Sequence, residues 1–282
     1  MFNRIAVILQ YCLPKQLITA LAGKFAHAEA GRLTTSVIRW FVQRYQVNMA
    51  EAAEPDISAY STFNAFFTRA LKSDARPMNI SDFICPVDGA ISQYGNIEQG
   101  QIFQAKGHTY SASALLAGDT QLATRFTNGS FATLYLSPKD YHRIHMPCDG
   151  LLKKMTYVPG ALFSVNPATA QGVPGLFARN ERVVCEFESA ENGTFIMVLV
   201  GATIVGSMAT TWHGIVNPPR SKSIRTWDYT GKSIELKQGN EMGRFLLGST
   251  VVMLFEQDRI EFTDTWLAAK PIRLGEIMGK CP

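Results

Sequence analysis

Leu247-Gly248-Ser249-Thr250 lies between Glu241-Met242-Gly243-Arg244-Phe245-Leu246 and the run Val251-Val252-Met253-Leu254-Phe255. The Val, Leu and Phe residues on both sides argue for a buried strand. Gly248 permits a backbone shape that a residue with a Cβ resists. Two readings of the serine follow. A Gly-Ser pair in a strand ordinarily marks a bulge. A serine beside a strained peptide bond can instead attack its own backbone. If Ser249 Oγ adds to the Gly248 carbonyl, the amide becomes an ester, and β-elimination frees Gly248 as a new C-terminus. The dehydroalanine left at 249 tautomerises to an imine, and hydrolysis releases ammonia and leaves a pyruvoyl ketone. Four residues are too short a motif to choose between these readings.

Outward from this stretch the chain changes character at about residue 80. Ala132-Thr133-Leu134-Tyr135-Leu136, Val183-Val184-Cys185-Glu186-Phe187 and Phe195-Ile196-Met197-Val198-Leu199-Val200 read as further strands, separated by Gly, Pro, Asn and Asp. Asn217-Pro218-Pro219-Arg220-Ser221-Lys222 reads as a loop, and Tyr94-Gly95 and Glu191-Asn192-Gly193 as turns. Before residue 80 the spacing is helical. The expected fold class is α+β: a helical region over residues 1–75, then a mainly antiparallel β-rich domain over 76–282 that carries the chemistry. No internal repeat or low-complexity tract is present.

Self-cleavage needs a base for the serine hydroxyl and a group that orients the base. Leu136-Ser137-Pro138-Lys139-Asp140-Tyr141-His142-Arg143-Ile144-His145-Met146-Pro147 sets two imidazoles three residues apart in a proline-bounded segment. Pro86-Val87-Asp88-Gly89 puts a carboxylate at an expected turn after an apolar approach. Histidine titrates nearest neutrality, so one imidazole can deprotonate Ser249 while the other shuttles a proton. Spacing does not say which does which. His27, His108 and His213 are read as locally satisfied side chains.

Here the sequence resembles the phosphatidylserine decarboxylase family in its bacterial membrane-associated form, nearly end to end. The matching stretches include Phe63-Asn64-Ala65-Phe66-Phe67-Thr68-Arg69 with Leu71-Lys72 and Arg76-Pro77, and Gln104-Ala105-Lys106-Gly107-His108. Pro159-Gly160-Ala161-Leu162-Phe163-Ser164-Val165-Asn166 and Phe177-Ala178-Arg179-Asn180-Glu181-Arg182 follow in the same order. The resemblance implies that Asp88, His145 and Ser249 carry out self-processing between Gly248 and Ser249. It implies a β chain of 1–248, an α chain of 249–282 and a covalent pyruvoyl cofactor derived from Ser249. It also implies that His142 serves decarboxylation, protonating Cα after carbon dioxide leaves a Schiff base formed with the ketone. Phosphatidylserine and an anionic membrane surface are the expected partners, together with the heterodimer of the two chains; a homodimer of that pair stays open. No metal is expected. The ketone is an electron sink of the kind pyridoxal phosphate supplies elsewhere. Two other classes remain: a Ser-His-Asp lipid hydrolase, although no GxSxG elbow is present, and a non-catalytic membrane-bound β domain.

Composition fits this expectation. A chain of 282 residues can bury a full core. The five cysteines form no CxxC pair and read as reduced, packed thiols, Cys148 among them. Residues 1–50 balance to +5 against +4 for the whole chain, so the positive excess is N-terminal. The same segment is apolar, with Ile5, Val7, Ile8, Leu9, Leu13, Leu17, Ile18 and Leu21, then Leu33, Val37, Trp40, Phe41 and Tyr45. Gln10, Pro14, Lys15 and Gln16 interrupt any run of the roughly 20 apolar residues a membrane span needs. Pro14-Lys15 also splits any signal-peptide pattern. The expected arrangement is interfacial helices, peripheral on the cytoplasmic side of the cell membrane, with packing of those helices on the protein's own core or on a second subunit as the alternative. No nucleic-acid motif accompanies the basic segment.

Overall fold

A computed structural model describes residues 7, 10–204, 207–217 and 220–282, with Ser249 described through its backbone alone. Ile5, Ile8, Leu9, Pro218 and Pro219, named above, lie outside the described residues. The apolar runs form strands that extend slightly beyond the sequence pattern. In chain order, those that build the site are β1 (Gly89–Asn96), β2 (Ser130–Leu136), β3 (Arg143–His145), β4 (Gly150–Val158) and β5 (Arg182–Ser189). They continue with β6 (Gly193–Val200), β7 (Met208–Thr210), β8 (Gly214–Asn217), β9 (Glu241–Phe245) and β10 (Ser249–Phe255).

The main sheet runs β4-β5-β6-β10-β2-β1, edged by Arg225–Asp228 beyond β4 and Pro271–Ile272 beyond β1. Its pairings are antiparallel. A second antiparallel sheet has the order β8-β7-β9-β3. Val251 through Phe255 are all fully buried, because β10 is central and both faces of the main sheet are covered. Val252 and Leu254 face one apolar cluster, shared with Ile38, Phe66 and Phe67 of the helical region. Val251, Met253 and Phe255 face the other, shared with Ile144, Met208 and Phe245 of the second sheet. The chain is thus α+β, with N-terminal helices on one side of the main sheet and the second sheet on the other.

The helices are α1 (Lys15–His27), α2 (Arg32–Tyr45) and α3 (Phe63–Phe67). Thr62 caps α3 by accepting the Ala65 N–H at 3.0 Å. The expected apolar stripe of α2 is divided between two environments. Phe41 packs edge-on against Phe63, Phe66 and Phe67, whereas Leu33 and Trp40 stay exposed. On α1, Leu17, Leu21 and Phe25 form an exposed stripe at four-residue spacing. Among the described residues no helix is long and apolar enough to cross a membrane. Helices beyond residue 80 are single turns such as Ala112–Leu115 and Leu176–Arg179.

One expected turn is wrong. Tyr94-Gly95 continues β1, paired to Ala132 and Phe131. The Tyr94 ring packs edge-on against Phe262 and its hydroxyl donates to the Trp266 carbonyl, while Gly95 absorbs a φ of 144° without reversing the chain. Glu191-Asn192-Gly193 does turn, with Gly193 at φ 74°.

Candidate active site

The Gly248–Ser249 peptide lies where the chain crosses between the two sheets. Upstream, β9 pairs with the histidine strand β3, placing Arg244 opposite Arg143 and Glu241 opposite His145. Downstream, β10 starts with Ser249 opposite Leu136 on β2. Residues 246–248 make the crossing. Phe245 donates its N–H to the His142 carbonyl at 3.0 Å, and Leu246 donates to Ser207 at 3.0 Å. Leu247 has φ 119°, a region that costs a residue with a Cβ about 1–3 kcal/mol. Its buried side chain belongs to the helix-side apolar cluster, so packing holds the strained backbone in place. Conformational freedom was expected at Gly248, and the recorded positive φ is one residue earlier.

The two imidazoles have different surroundings. His142 is wholly buried with its ring centroid 4.1 Å from that of Phe67. Its Nδ1 lies 2.8 Å from the Asp140 carbonyl, which can only accept, so Nδ1 carries the hydrogen and Nε2 the lone pair. That Nε2 is buried without a hydrogen-bond partner among the described residues. Desolvation pushes the His142 pKa down to about 3, against a smaller upward pull from the Asp140 carbonyl. His145 is oriented in the same way by the Gly239 carbonyl, 2.7 Å from Nδ1. Its Nε2 lone pair accepts the Tyr141 hydroxyl at 3.1 Å. Burial lowers the His145 pKa, opposed by the Gly239 hydrogen bond and by the charges of Glu241 and Asp88.

Asp88 sits in the bend before β1, and its neighbour Gly89 has a steric reason to be glycine. A Cβ there would meet the Tyr135 carbonyl oxygen at 2.3 Å. Arg76 holds the Asp88 carboxylate through Nε at 2.9 and 3.1 Å and through Nη2 at 2.5 Å, while the Leu274 N–H donates to it at 2.9 Å. Arg76 also reaches Glu51 at 2.7 Å. Asp88 therefore touches Arg76 rather than an imidazole, and the Gly239 carbonyl orients His145. Asp88 and His145 are nevertheless joined through the backbone: His145 N–H donates to the Pro86 carbonyl at 2.9 Å.

A cavity of about 800 Å³ opens beside this cluster, lined in part by Asp88, Arg76, Arg69, Tyr141 and Tyr135. Neither histidine lines it; Tyr141 stands between the cavity and His145. Arg76, Glu51, Tyr141 and Gly239 are the participants that sequence reasoning left without a role. Arg76 and Tyr141 lie inside stretches quoted for the family resemblance, but contact with Asp88 and His145 is a tertiary fact. His27 and His213 are satisfied by the Gly23 carbonyl and the Tyr229 hydroxyl. Cys85, Cys148 and Cys185 are buried and all five cysteines are free thiols. Among the described residues no group of three His, Cys, Asp or Glu side chains is placed to hold a metal ion.

A pyruvoyl group at 249 fits these surroundings in one testable respect. Among the described residues the buried Nε2 of His142 lacks a partner, and its segment is bonded to the residues just before Ser249.

Comparison with known proteins gives a consistent result. The sequence model described as phosphatidylserine decarboxylase matches residues 63–280, and a second, described as PSD, matches residues 5–46. The phosphatidylserine decarboxylase proenzyme of Dechloromonas aromatica is 67% identical over 99% of both chains. The proteins of the same name from Albidiferax ferrireducens and Herminiimonas arsenicoxydans are each 65% identical, covering 100% and 99% of this chain and 99% and 95% of theirs.

Proposed function

This chain belongs to the phosphatidylserine decarboxylase family, and on that premise we propose that it cleaves itself at Gly248–Ser249 and converts phosphatidylserine to phosphatidylethanolamine with a pyruvoyl group formed from Ser249. The observation that carries the proposal is the position of this peptide at a strained crossing, Leu247 φ 119°, between β9, the neighbour of the strand bearing His145, and β10 in the main sheet.

In processing, His145 is the base. Its Nε2 lone pair, held ready by the Gly239 carbonyl, takes the Ser249 hydroxyl proton in place of the one Tyr141 now offers. The negative charge of Asp88 favours the resulting imidazolium without a direct hydrogen bond. Ser249 Oγ bonds to the Gly248 carbonyl carbon, the C–N bond breaks, and the imidazolium returns its proton to the departing amine. Loss of the Ser249 Cα proton then expels the Gly248 carboxylate, and water converts the remaining dehydroalanine to ketone and ammonia.

The pyruvoyl group supplies an electrophilic carbonyl that takes up the electron pair released as carbon dioxide leaves. His142 handles the proton. In the free protein Nε2 is unprotonated, and an anionic substrate favours its imidazolium, so it can accept a proton from the substrate ammonium and return it to Cα. Burial of His142 and the adjoining strand excludes competing water. The exposed Leu17-Leu21-Phe25 stripe, with Leu33 and Trp40, suits peripheral contact with an anionic membrane on the cytoplasmic side.

Denaturing electrophoresis combined with carbon dioxide release from phosphatidylserine tests the proposal. Two fragments and gas release are expected. A single intact chain that still hydrolyses lipid would refute it.

A further inference from the structure

Arg69 follows α3 and is a buried cation beside the cavity with few partners of its own. It is 5% exposed, its Nε has no hydrogen-bond partner among the described residues, and its Nη2 makes one long contact, 3.3 Å to the Lys139 carbonyl. The guanidinium lies 5.4 Å above the Phe66 ring. Nearby carboxylates are committed elsewhere. Asp88 and Glu51 are bound by Arg76, and Asp140 accepts the Ser137 N–H and hydroxyl, each at 2.7 Å. Those three acids act on Arg69 only through their charge. Arginine does not escape burial by losing its proton at neutral pH, and buried charges are ordinarily paired. An unpaired guanidinium lining a cavity of about 800 Å³ therefore points to an anionic ligand.

We propose that Arg69 binds the phosphodiester of the lipid headgroup, through the forked donors that suit phosphate oxygens. This rests on the decarboxylase reading. The substrate offers two anions, and the chemistry separates them. Pairing the carboxylate would stabilise the group that must leave, whereas the phosphodiester is unchanged from substrate to product and can be held throughout. Arg69 then contributes uniform binding, visible in KM rather than kcat.

The test uses the full chain, a short-chain phosphatidylserine as substrate and the matching short-chain phosphatidylethanolamine as product inhibitor. Wild-type fragmentation and carbon dioxide release first establish the underlying reading by themselves. Arg69→Gln should still cleave, raise KM about tenfold or more with kcat within about threefold, and raise the product inhibition constant by the same factor. Arg69→Lys, which keeps the charge and the fold but loses the fork, should shift both constants in the same direction by less. A rise in KM without a change in product inhibition would move Arg69 to the carboxylate and overturn the proposal. So would unchanged constants in both variants, which would make Arg69 a packing residue. Inorganic phosphate competing with substrate in wild type, with product inhibition unaltered in the variants, would assign the guanidinium to a free anion instead.

Discussion

At the scale of single residues, Arg76 is the support on which Asp88 depends. Both side chains are over nine-tenths buried, so removing the guanidinium leaves a buried carboxylate uncompensated, at a cost of about 3–5 kcal/mol. Arg76→Ala should lower the thermal midpoint sharply and slow the appearance of fragments, with Arg76→Lys intermediate; unchanged processing would show that Asp88 does not need this clamp. The serine and histidines give a sharper pattern. Ser249→Ala should remain one inactive chain, and His145→Ala and Asp88→Ala should accumulate uncleaved protein. His142→Ala should cleave yet fail to release carbon dioxide, and the reverse pattern would exchange the histidines' roles. His142 also predicts a pH dependence. Its folded pKa of about 3 lies below the ordinary 6.5, so the unfolded chain binds more protons between those values. Stability is thus lost as pH falls below about 6.5, by about 2 kcal/mol at pH 5 from this residue. Denaturant titrations at pH 7 and pH 5 should show a smaller difference between the two for His142→Ala than for wild type.

At the scale of elements, two close approaches set where strands can lie. Gly89 lets β1 sit against the Tyr135 backbone, and a Cβ at 2.3 Å from that carbonyl oxygen forces the strand away. Gly89→Ala should cost roughly 1–3 kcal/mol and slow cleavage, because Asp88 moves with the start of β1. A normal melting curve and normal processing would show that the sheet yields there freely. On the helices, the division of α2 matters for any membrane test. Phe41 belongs to the aromatic cluster of α3, so its replacement reports on folding, whereas Trp40, Leu21 and Phe25 face outward. Replacing Trp40 and Leu21 with serine should weaken sedimentation with anionic vesicles even at high salt, with little change in thermal stability. Equal sedimentation would return the exposed stripe to a protein–protein contact.

For the molecule as a whole, the position of β10 governs what the proposed cleavage at Gly248–Ser249 would do. Residues 250–255 form a central strand hydrogen-bonded on one side to β2 and on the other to β6, with both faces buried. The two fragments should therefore co-elute in native gel filtration and separate only in denaturant. Separation under native conditions would mean that the strand leaves the sheet on processing.

The α+β class and the buried strand after Ser249 were legible in the sequence, which also singled out two histidines and an aspartate without saying what each would touch. Apolar runs between turn residues and helical spacing are local signals, and a short segment displays them without help from the fold. The resemblance of ordered stretches along the chain carried the family assignment. The Arg76 clamp on Asp88, the Gly239 carbonyl behind His145, the strain at Leu247 and the isolation of Arg69 were not legible. Each depends on residues far apart in the chain meeting in space, or on a backbone angle imposed where two sheets join. Tyr94-Gly95 misled for the same reason: the composition is that of a turn, and only the packing of Tyr94 against Phe262 keeps the strand running. Local pattern determined which elements form; tertiary packing determined which charges are buried beside which, because desolvation and partner choice exist only once the sheets and helices have closed around them.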